Sequence, residues 1–340
     1  LGPVAAFLYL SVLLSAFFVF YTLYAAPYLA LLPQLSRSAT ERLKISIWQG
    51  GFNIAGIAIG AVAAGMIAEA LGFGAMGIIL GAVTFASLAI PAWFVQEPAG
   101  DAGQVDNEGV VTAIRTALAN RPFRAYVAGQ FFFWFGLNAA LIDSPYLVTV
   151  VAGGSEADAS IALGLGILSA AAAFPALSAL AGRRGLRFAL IASMLWFAAV
   201  LILIGFTGRP FMPFSAYTQV LVLNILAGVP IGGLLILPNP LLAEVTDYDE
   251  RATGKRREAV YFGVQGFIVK GSMALSSVLV TQLLSRLGYT PDAPWGVLAV
   301  GPVSALFVLL GVAAFTRYPG GRPLERPGRA HRRRTATPGG

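Results

Sequence analysis

Lys270 is the residue whose position most clearly suggests chemistry, because it interrupts an apolar run at roughly residues 259–284. Counting about 1.5 Å per residue from Val260 places it roughly 15 Å along a helix, near the middle of a hydrocarbon core about 30 Å thick. A charge at that depth is costly and normally faces a partner, a cavity or an ion pathway. We therefore interpret Lys270 as a functional residue. The alternative is a lysine that only holds two helices together.

A second ionisable residue, Asp143, precedes Ser144 and Pro145 at the far end of another apolar run. A regular helix from Arg124 would place it about 28 Å away, near the opposite membrane interface. The proline frees backbone groups that Asp143 or Ser144 could satisfy. That structural role and a role in gating a solute are both open.

Amide side chains are further candidates for binding a solute. Gln49 and Asn53 lie one turn apart in one apolar run, and Gln265 lies in another. Amides offer donors and acceptors that suit hydroxyl-rich solutes, but they also join helices. The aromatic run Phe131–Phe135 could stack on a sugar ring. Five consecutive aromatics point all round a helix, however, so most of them should contact lipid or the core.

Residue content excludes several other chemistries. The chain has no cysteine, which excludes disulfides and thiolate sites, and its one histidine, His331, lies in a polar tail. The sequence G-x-x-x-x-G-K-[ST] is absent, so the chain has no ATP-binding loop of that kind. A hydrolase would need paired carboxylates or a Ser/His site inside the membrane, and Asp143 has no acidic mate at its depth. We expect neither an enzyme nor a metal centre.

Membrane helices must position these residues. The 340 residues are 57% hydrophobic and 11% charged, whereas a soluble domain has about 25% charged residues. Continuous apolar runs predict an all-α integral membrane protein, since a membrane barrel would alternate. The predicted spans are nine: roughly 4–32, 47–71, 74–96, 124–152, 159–181, 187–206, 215–243, 259–284 and 296–316.

The basic residues predict the orientation of these spans. If alternate connections share a side, one side receives 20 of the 23 Lys and Arg residues, and the other side receives Arg209 and Arg286. The positive-inside rule makes the richer side cytoplasmic. The net charge of +7 therefore reports topology in a cell (inner) membrane and not a nucleic-acid partner. An odd number of spans puts Leu1 outside and the carboxyl-terminal tail inside.

The spacing of the spans predicts four regions. A long polar connection separates three spans from six, which suggests two six-helix halves with the first three helices missing, so nine of twelve helices are visible. The lack of an initial Met or a signal peptide also leads us to expect an amino-terminal truncation. The regions are the remainder of an N-terminal bundle (1–98), a cytoplasmic central loop (99–123), a C-terminal bundle (124–316) and a disordered basic cytoplasmic tail (317–340). The tail is either a solvated topology signal or a contact for anionic lipid.

An internal repeat supports this division. The first span ends in the Pro27–Pro33 segment, and a charged loop then leads to Gln49-Gly-Gly-Phe52. The seventh span ends in the Pro238–Leu242 segment, and a charged loop then leads to Gln265-Gly-Phe267. The two occurrences are about six helices apart, as expected for duplicated halves.

A charged segment after the seventh span carries a family resemblance. It reads Glu244-Val-Thr-Asp-Tyr-Asp-Glu-Arg-Ala-Thr-Gly-Lys-Arg-Arg-Glu258, followed by Tyr261-Phe262 and Gln265 to Lys270. This resembles the glycoside-pentoside-hexuronide:cation symporters, the melibiose-permease-like branch of the major facilitator superfamily. The Pro27–Pro33 segment resembles that family's fourth-helix motif, and Gly182-Arg-Arg-Gly-x-Arg187 is similar to its loop between helices eight and nine.

The resemblance implies specific roles. Lys270 would lie beside the cation and sugar sites, and its acidic partner would belong to the absent helices. The segment 244–258 would form ion pairs that hold one state of the carrier closed, with Asp247, Tyr248, Gly254, Arg256 and Arg257 as its motif residues. The alternative is a solvated hairpin. The chain departs from melibiose permease where Ala25 replaces an Asp and Gln49 an Arg, which puts galactoside specificity and the sodium site in question.

The resemblance predicts a proton- or sodium-coupled secondary transporter of glycosides or related sugars that works by alternating access, with no cofactor besides the coupling cation. Its partners would be a small solute and the lipid bilayer. An alternative keeps the carrier but makes the solute an amphiphile such as a lysolipid. A further alternative is that this chain, lacking part of its first bundle, does not transport.

Overall fold

The computed structural model describes residues 2–36, 38–94, 110–254 and 257–318. Its helices are α1 (Pro3–Leu35), α2 (Ala39–Phe94), α3 (Val110–Ala119), α4 (Arg121–Tyr146), α5 (Glu156–Arg184), α6 (Leu186–Ile204), α7 (Ala216–Ile236), α8 (Pro238–Thr253), α9 (Glu258–Leu287) and α10 (Trp295–Thr316). A π-helical turn, Leu147–Val151, follows α4. These described residues form no strand, so the prediction of an all-helical bundle is confirmed.

Eight segments of the described residues are long and apolar enough to cross a membrane, and each coincides with a predicted span. The remaining predicted span, the second at 47–71, lies within α2 and is helical throughout, but it is not among the eight, so its crossing stays a prediction. Large side chains such as Phe7, Phe20, Phe85 and Trp93 are mostly exposed. Such extensive apolar surface is compatible with lipid and not with water.

The second and third predicted spans form one element, α2, that changes direction at Gly72. This residue has a φ of 83° and a ψ of 165°, a conformation that glycine adopts and L side chains avoid. The backbone before and after it is helical. The predicted break between residues 71 and 74 therefore exists, but it consists of one glycine and not of a loop.

The charged segment 244–258, which we predicted as a loop, is mostly helical, and this prediction was wrong. Helix α7 ends at Ile236, and α8 begins with Pro238 and continues to Thr253. A proline suits the first turn of a helix because its missing N–H would be unpaired there anyway. Gly254 ends α8 in a left-handed conformation, and its N–H donates to the carbonyl of Glu250. The predicted span 215–243 is likewise divided, at Leu237.

The central loop ends in ordered structure. Helix α3 buries Ala117, and α4 begins at Arg121, three residues before the predicted boundary. Asn120 joins the two, because its side-chain oxygen accepts from Phe123 N and its Nδ2 donates to the Tyr261 hydroxyl of α9 at 3.1 Å. Residues 95–109 of this connection lie outside the described residues.

Helices α4 to α10 form the compact part of the molecule, and small residues let their backbones approach. On α7, Gly228 and Gly232 form a G-x-x-x-G pair against α5. A Cβ added at Gly228 would lie 2.2 Å from the Gly166 carbonyl oxygen, and one at Gly232 would lie 2.5 Å from that of Ala170. The α5–α7 interface therefore depends on the absence of these side chains.

We expect Gly228→Ala to lower the thermal stability of the purified protein. The new methyl group must displace backbone, and such overpacking typically costs about 1–3 kcal/mol. The matched control is Gly164→Ala on α5, where an added Cβ has nothing within 4 Å. Equal melting temperatures for the two variants would contradict the close approach of α5 and α7.

Two ends of the bundle are distinguished by charge. The basic end contains the connection between α1 and α2, the connection between α5 and α6, and the end of α10. There the Arg187 guanidinium donates to the backbone carbonyls of Phe315 and Thr316. At the opposite end, Arg209 lies 5.0 Å from the Trp295 ring centroid.

The first residues of the predicted tail are ordered, since Tyr318 is buried. Residues 319–340 lie outside the described residues, and both the predicted disorder and the lipid contact of the tail stay predictions.

Candidate functional site

A cavity of about 350 Å³ lies between α2 and the helices α4, α5, α6 and α7. Among the described residues, the side chains that bring hydroxyl or amide groups to its wall are Asn53, Ser144 and Asn224. The rest of the wall is apolar except for the indole of Trp134. The cavity is thus mainly hydrophobic with a few polar positions, as is usual for small-molecule sites.

Helix α4 presents two neighbouring stripes of residues, each with a seven-residue spacing. Leu137 and Ser144 line the cavity. Gly136, one residue before Leu137, packs instead on α10, because a Cβ there would lie 2.4 Å from the Val308 side chain. Residues seven apart share a helix face, so Asp143 belongs to the stripe that faces α10 and Ser144 to the stripe that faces the cavity.

Asp143 is fully buried, with 1% of its surface exposed, and its Oδ1 has no hydrogen-bond partner among the described residues. It is absent from the cavity wall, whereas Ser144 lines it and donates to Asn224 Oδ1 at 3.4 Å. In this conformation Asp143 is therefore not placed to contact a solute in the cavity. The Leu147 N–H instead contacts the Asp143 and Ser144 carbonyls at the end of α4.

The predicted amides occupy different parts of the molecule. Asn53 is at the cavity. Gln49, one turn earlier on α2, is half-buried, and its Oε1 has no partner in the described structure. Gln265 on α9 also has an unpartnered Oε1 but does not line the cavity. Of the three, only Asn53 is placed where it could contact a solute in the conformation seen here.

Lys270 lies at the contact between α9 and α1. Its Nζ donates to Thr22 Oγ1 and is 5.7 Å from the Phe18 ring centroid and 5.1 Å from that of Tyr21. Aromatic faces attract cations at such distances. No carboxylate of the described residues forms an ion pair with Lys270. The amine therefore holds α1 against α9 through a hydroxyl and two rings, outside the cavity wall.

An ion pair joins α2 to α8 at the basic end. Arg42 Nη1 donates to Asp247 Oδ2 at 2.6 Å and Nη2 to Oδ1 at 3.1 Å, a bidentate arrangement. Arg42 Nε also donates to Ser36 Oγ at 3.1 Å, and Ser36 Oγ donates to the Leu32 carbonyl. Arg42 is 7% exposed and the Asp247 side chain is 28% exposed, so this contact is partly shielded from solvent.

The other predicted gating residues lie on α8, at its end and just before α9. Arg257 Nη1 is 3.9 Å from Asp249 Oδ2, and both side chains are buried. Tyr248 is exposed, and Gly254 ends α8 as described. Arg256 lies outside the described residues. Within the predicted gating motif, Asp247 is thus the residue seen to bridge to the amino-terminal helices.

The aromatic run on α4 serves mostly as packing. Phe135 stacks on Phe307 with centroids 4.0 Å apart, and Phe133 meets Phe197 edge-on at 5.9 Å. Trp134 is the member of the run that lines the cavity. Two aromatic residues are therefore available for stacking on a solute, Trp134 from this run and Phe197 from α6.

A comparison with known families agrees with this architecture. The family described as MFS/sugar transport protein matches residues 1–319, nearly the whole chain. The chain belongs to this family. This agrees with the resemblance to melibiose-permease-like symporters. MFS/sugar transport proteins are carriers and not enzymes, as the residue content predicted for this member.

Two curated relatives share shorter stretches with this MFS/sugar transport protein. One is an uncharacterized symporter of Synechocystis sp., 31% identical over 110 residues, which are 28% of this chain and 20% of the relative. The other is the uncharacterized symporter YnaJ of Bacillus subtilis, 30% identical over 126 residues, which are 34% of this chain and 27% of the relative. The matches therefore span about a quarter of the relatives' own lengths.

Sequence reasoning missed three residues of this region. Arg42 was counted only as a topology charge, because nothing in its local pattern names a partner 205 positions away. Asn224 is an amide in the middle of an apolar run, with apolar neighbours on either side, a signal that could have found it. Gln130, which immediately precedes the aromatic run, could have been found in the same way.

Proposed function

We propose that the protein is a cation-coupled secondary transporter that carries a small solute, a sugar or glycoside in the first place, by alternating access. The observation that carries this proposal is the cavity between α2 and α4–α7, with the partly buried Arg42–Asp247 pair joining α2 to α8 at the basic end. Carriers expose one cavity to the two sides in turn by moving one helical bundle against the other. The mechanism requires the ion pair to break when the basic end opens.

In this proposal Lys270 couples ion and solute movement. Among the described basic residues, Lys270 lies deepest within a span. It joins α9, in the predicted C-terminal bundle, to α1, in the predicted remainder of the N-terminal bundle. A cation entering near the α1–α9 contact would repel the ammonium group and change that contact. Charged residues within spans generally mark such pathways. The coupling ion is a proton or sodium.

An amphiphile is the second candidate solute, and the wall of the cavity supports it. A sugar normally requires several donors and acceptors, because each hydroxyl that loses water needs a partner. Asn53, Ser144 and Asn224 supply few such groups, and their neighbours are aliphatic or aromatic. A solute with one polar group and an apolar body would fit such a wall.

Uptake into proteoliposomes distinguishes these solutes. The purified protein is reconstituted, a sodium or proton gradient is imposed, and labelled glycosides are compared with a labelled lysolipid. The proposal predicts gradient-dependent accumulation of one class. Accumulation of a glycoside supports the first candidate, and accumulation of the lysolipid alone supports the second. No accumulation of either by folded protein would contradict the proposed transport.

A further inference from the structure

Gln130 is a buried amide without a partner. Its exposure is 0%, and neither Oε1 nor Nε2 has a hydrogen-bond partner among the described residues. An amide enclosed without partners loses its hydrogen bonds to water and gains none in return. A second conformation, in which the amide forms hydrogen bonds, would explain why this free-energy cost is tolerated.

The position of Gln130 on α4 connects it with the cavity. It precedes Leu137 and Ser144 by seven and fourteen residues, so these three residues share a stripe. The latter two line the cavity, as does Trp134, which is one turn away or roughly 6 Å along the axis. Gln130 therefore lies on the cavity-facing stripe of α4, between the residues that line the cavity and the basic end.

Beyond Gln130, toward the basic end, α4 contacts α8. One turn further toward the basic end, the Tyr126 hydroxyl donates to the Pro238 carbonyl at 3.1 Å, at the first residue of α8. The same helix carries Asp247, which pairs with Arg42. Movement of α8 away from α2 and α4 would break both contacts. We expect the same movement of α8 to extend the cavity along α4 from Trp134 to Gln130.

We infer that Gln130 contacts the solute when the basic end is open, and that it thereby sets the affinity for solute on that side. This inference rests on the proposed transport function. The amide offers a donor and an acceptor together, so it suits a hydroxyl group of the solute, which is both acceptor and donor. In the closed conformation the same amide has no partner. The closed state is thereby destabilised, which favours opening once solute has bound.

The test compares the KM of transport measured from each side in proteoliposomes of defined orientation. We expect Gln130→Leu to raise the KM for solute entering at the basic end about tenfold, as for one lost hydrogen bond. The KM at the opposite end should stay within about twofold, since Gln130 is enclosed there. The melting temperature should stay the same or rise, because an unpaired amide has been removed.

The matched control is Ser304→Ala on α10. Ser304 is also buried, and its Oγ has no partner among the described residues, but it lies on the α10 face that meets Gly136 and outside the cavity wall. This variant should leave both KM values within about twofold. If Gln130→Leu does not fold, Gln130→Met, of similar length, replaces it under the same criteria.

The outcomes separate the inference from the proposed function. If the wild-type protein moves no solute, the proposed function is wrong and the inference falls with it. If the wild type transports and Gln130→Leu leaves the KM at the basic end unchanged, the inference alone is wrong. An equal rise at both ends, or loss of folded protein in both Gln130 variants, would assign Gln130 to packing and would also overturn it.

Discussion

Replacing Lys270 by methionine is expected to abolish solute accumulation against a gradient while solute still equilibrates across the membrane. Methionine keeps the length of the side chain and its packing between α1 and α9 but removes the charge that contacts Thr22, Phe18 and Tyr21. A carrier that has lost its coupling charge moves solute without the ion. We expect the accumulation ratio to fall to about 1, measured as labelled solute in proteoliposomes under a cation gradient.

The control for Lys270 is Lys44→Met on α2. Lys44 is exposed at the basic end, so its loss removes the same charge without changing a buried contact. Accumulation should remain close to that of the wild type. Normal accumulation by the Lys270 variant would show that this lysine only joins α1 to α9, the structural alternative to a coupling role.

Breaking the Arg42–Asp247 pair is expected to shift the carrier toward a state open at the basic end. Asp247→Asn leaves Arg42, which is 7% exposed, without its charged partner. Removing one member of a fully buried pair typically costs about 3–5 kcal/mol. Because the Asp247 side chain is 28% exposed, we expect a smaller cost of about 1–3 kcal/mol here. Because the pair exists only while α2 and α8 touch, the closed state is destabilised, and a few kcal/mol suffices to invert a two-state population.

Cysteine labelling measures this shift directly, since the natural sequence has no cysteine. Leu235→Cys places a single thiol on the cavity wall near the basic end of α7. A membrane-impermeant maleimide applied from that side should label it at least about tenfold faster with Asp247→Asn than without. The double exchange Arg42→Asp with Asp247→Arg should restore slow labelling.

Arg209→Gln provides the control for this experiment. Arg209 lies at the opposite end, beside Trp295, and its loss should leave labelling of the cysteine unchanged. Equal labelling rates in the presence and absence of the Arg42–Asp247 pair would show that this contact does not hold the basic end closed. Faster labelling after every loss of charge would point to general loosening of the helices.

The positions of the helices could be predicted because the membrane imposes a simple rule. A span requires a long apolar run, so the eight observed segments follow from composition alone. Helix α8 could not be found in this way. Helix α8 is polar, and its charged residues led us to predict a loop. The helix depends on Pro238 at its start, on Gly254 at its end and on contacts with α1 and α2.

The candidate site could be predicted only in part, because side-chain contacts between distant segments leave no local pattern. Asn53, which we predicted from its amide chemistry and its span, lies at the cavity, and its role in binding a solute stays a prediction. Asp143 was found as a charge, but the choice between cavity and α10 depends on the rotation of α4, which Gly136 and Val308 set. The pairing of Arg42 with Asp247 depends on how α2 meets α8, a tertiary contact that neither segment reveals alone.

The most direct test of the proposed mechanism is ion movement driven by the solute. Proteoliposomes containing the protein are prepared without any ion gradient, a solute that the protein accepts is added outside, and internal pH and sodium are followed by dyes. Coupled transport predicts that one of these cations enters together with the solute, and that Lys270→Met abolishes the ion signal while solute entry continues. Solute entry through the wild-type protein without movement of either cation would contradict cation coupling.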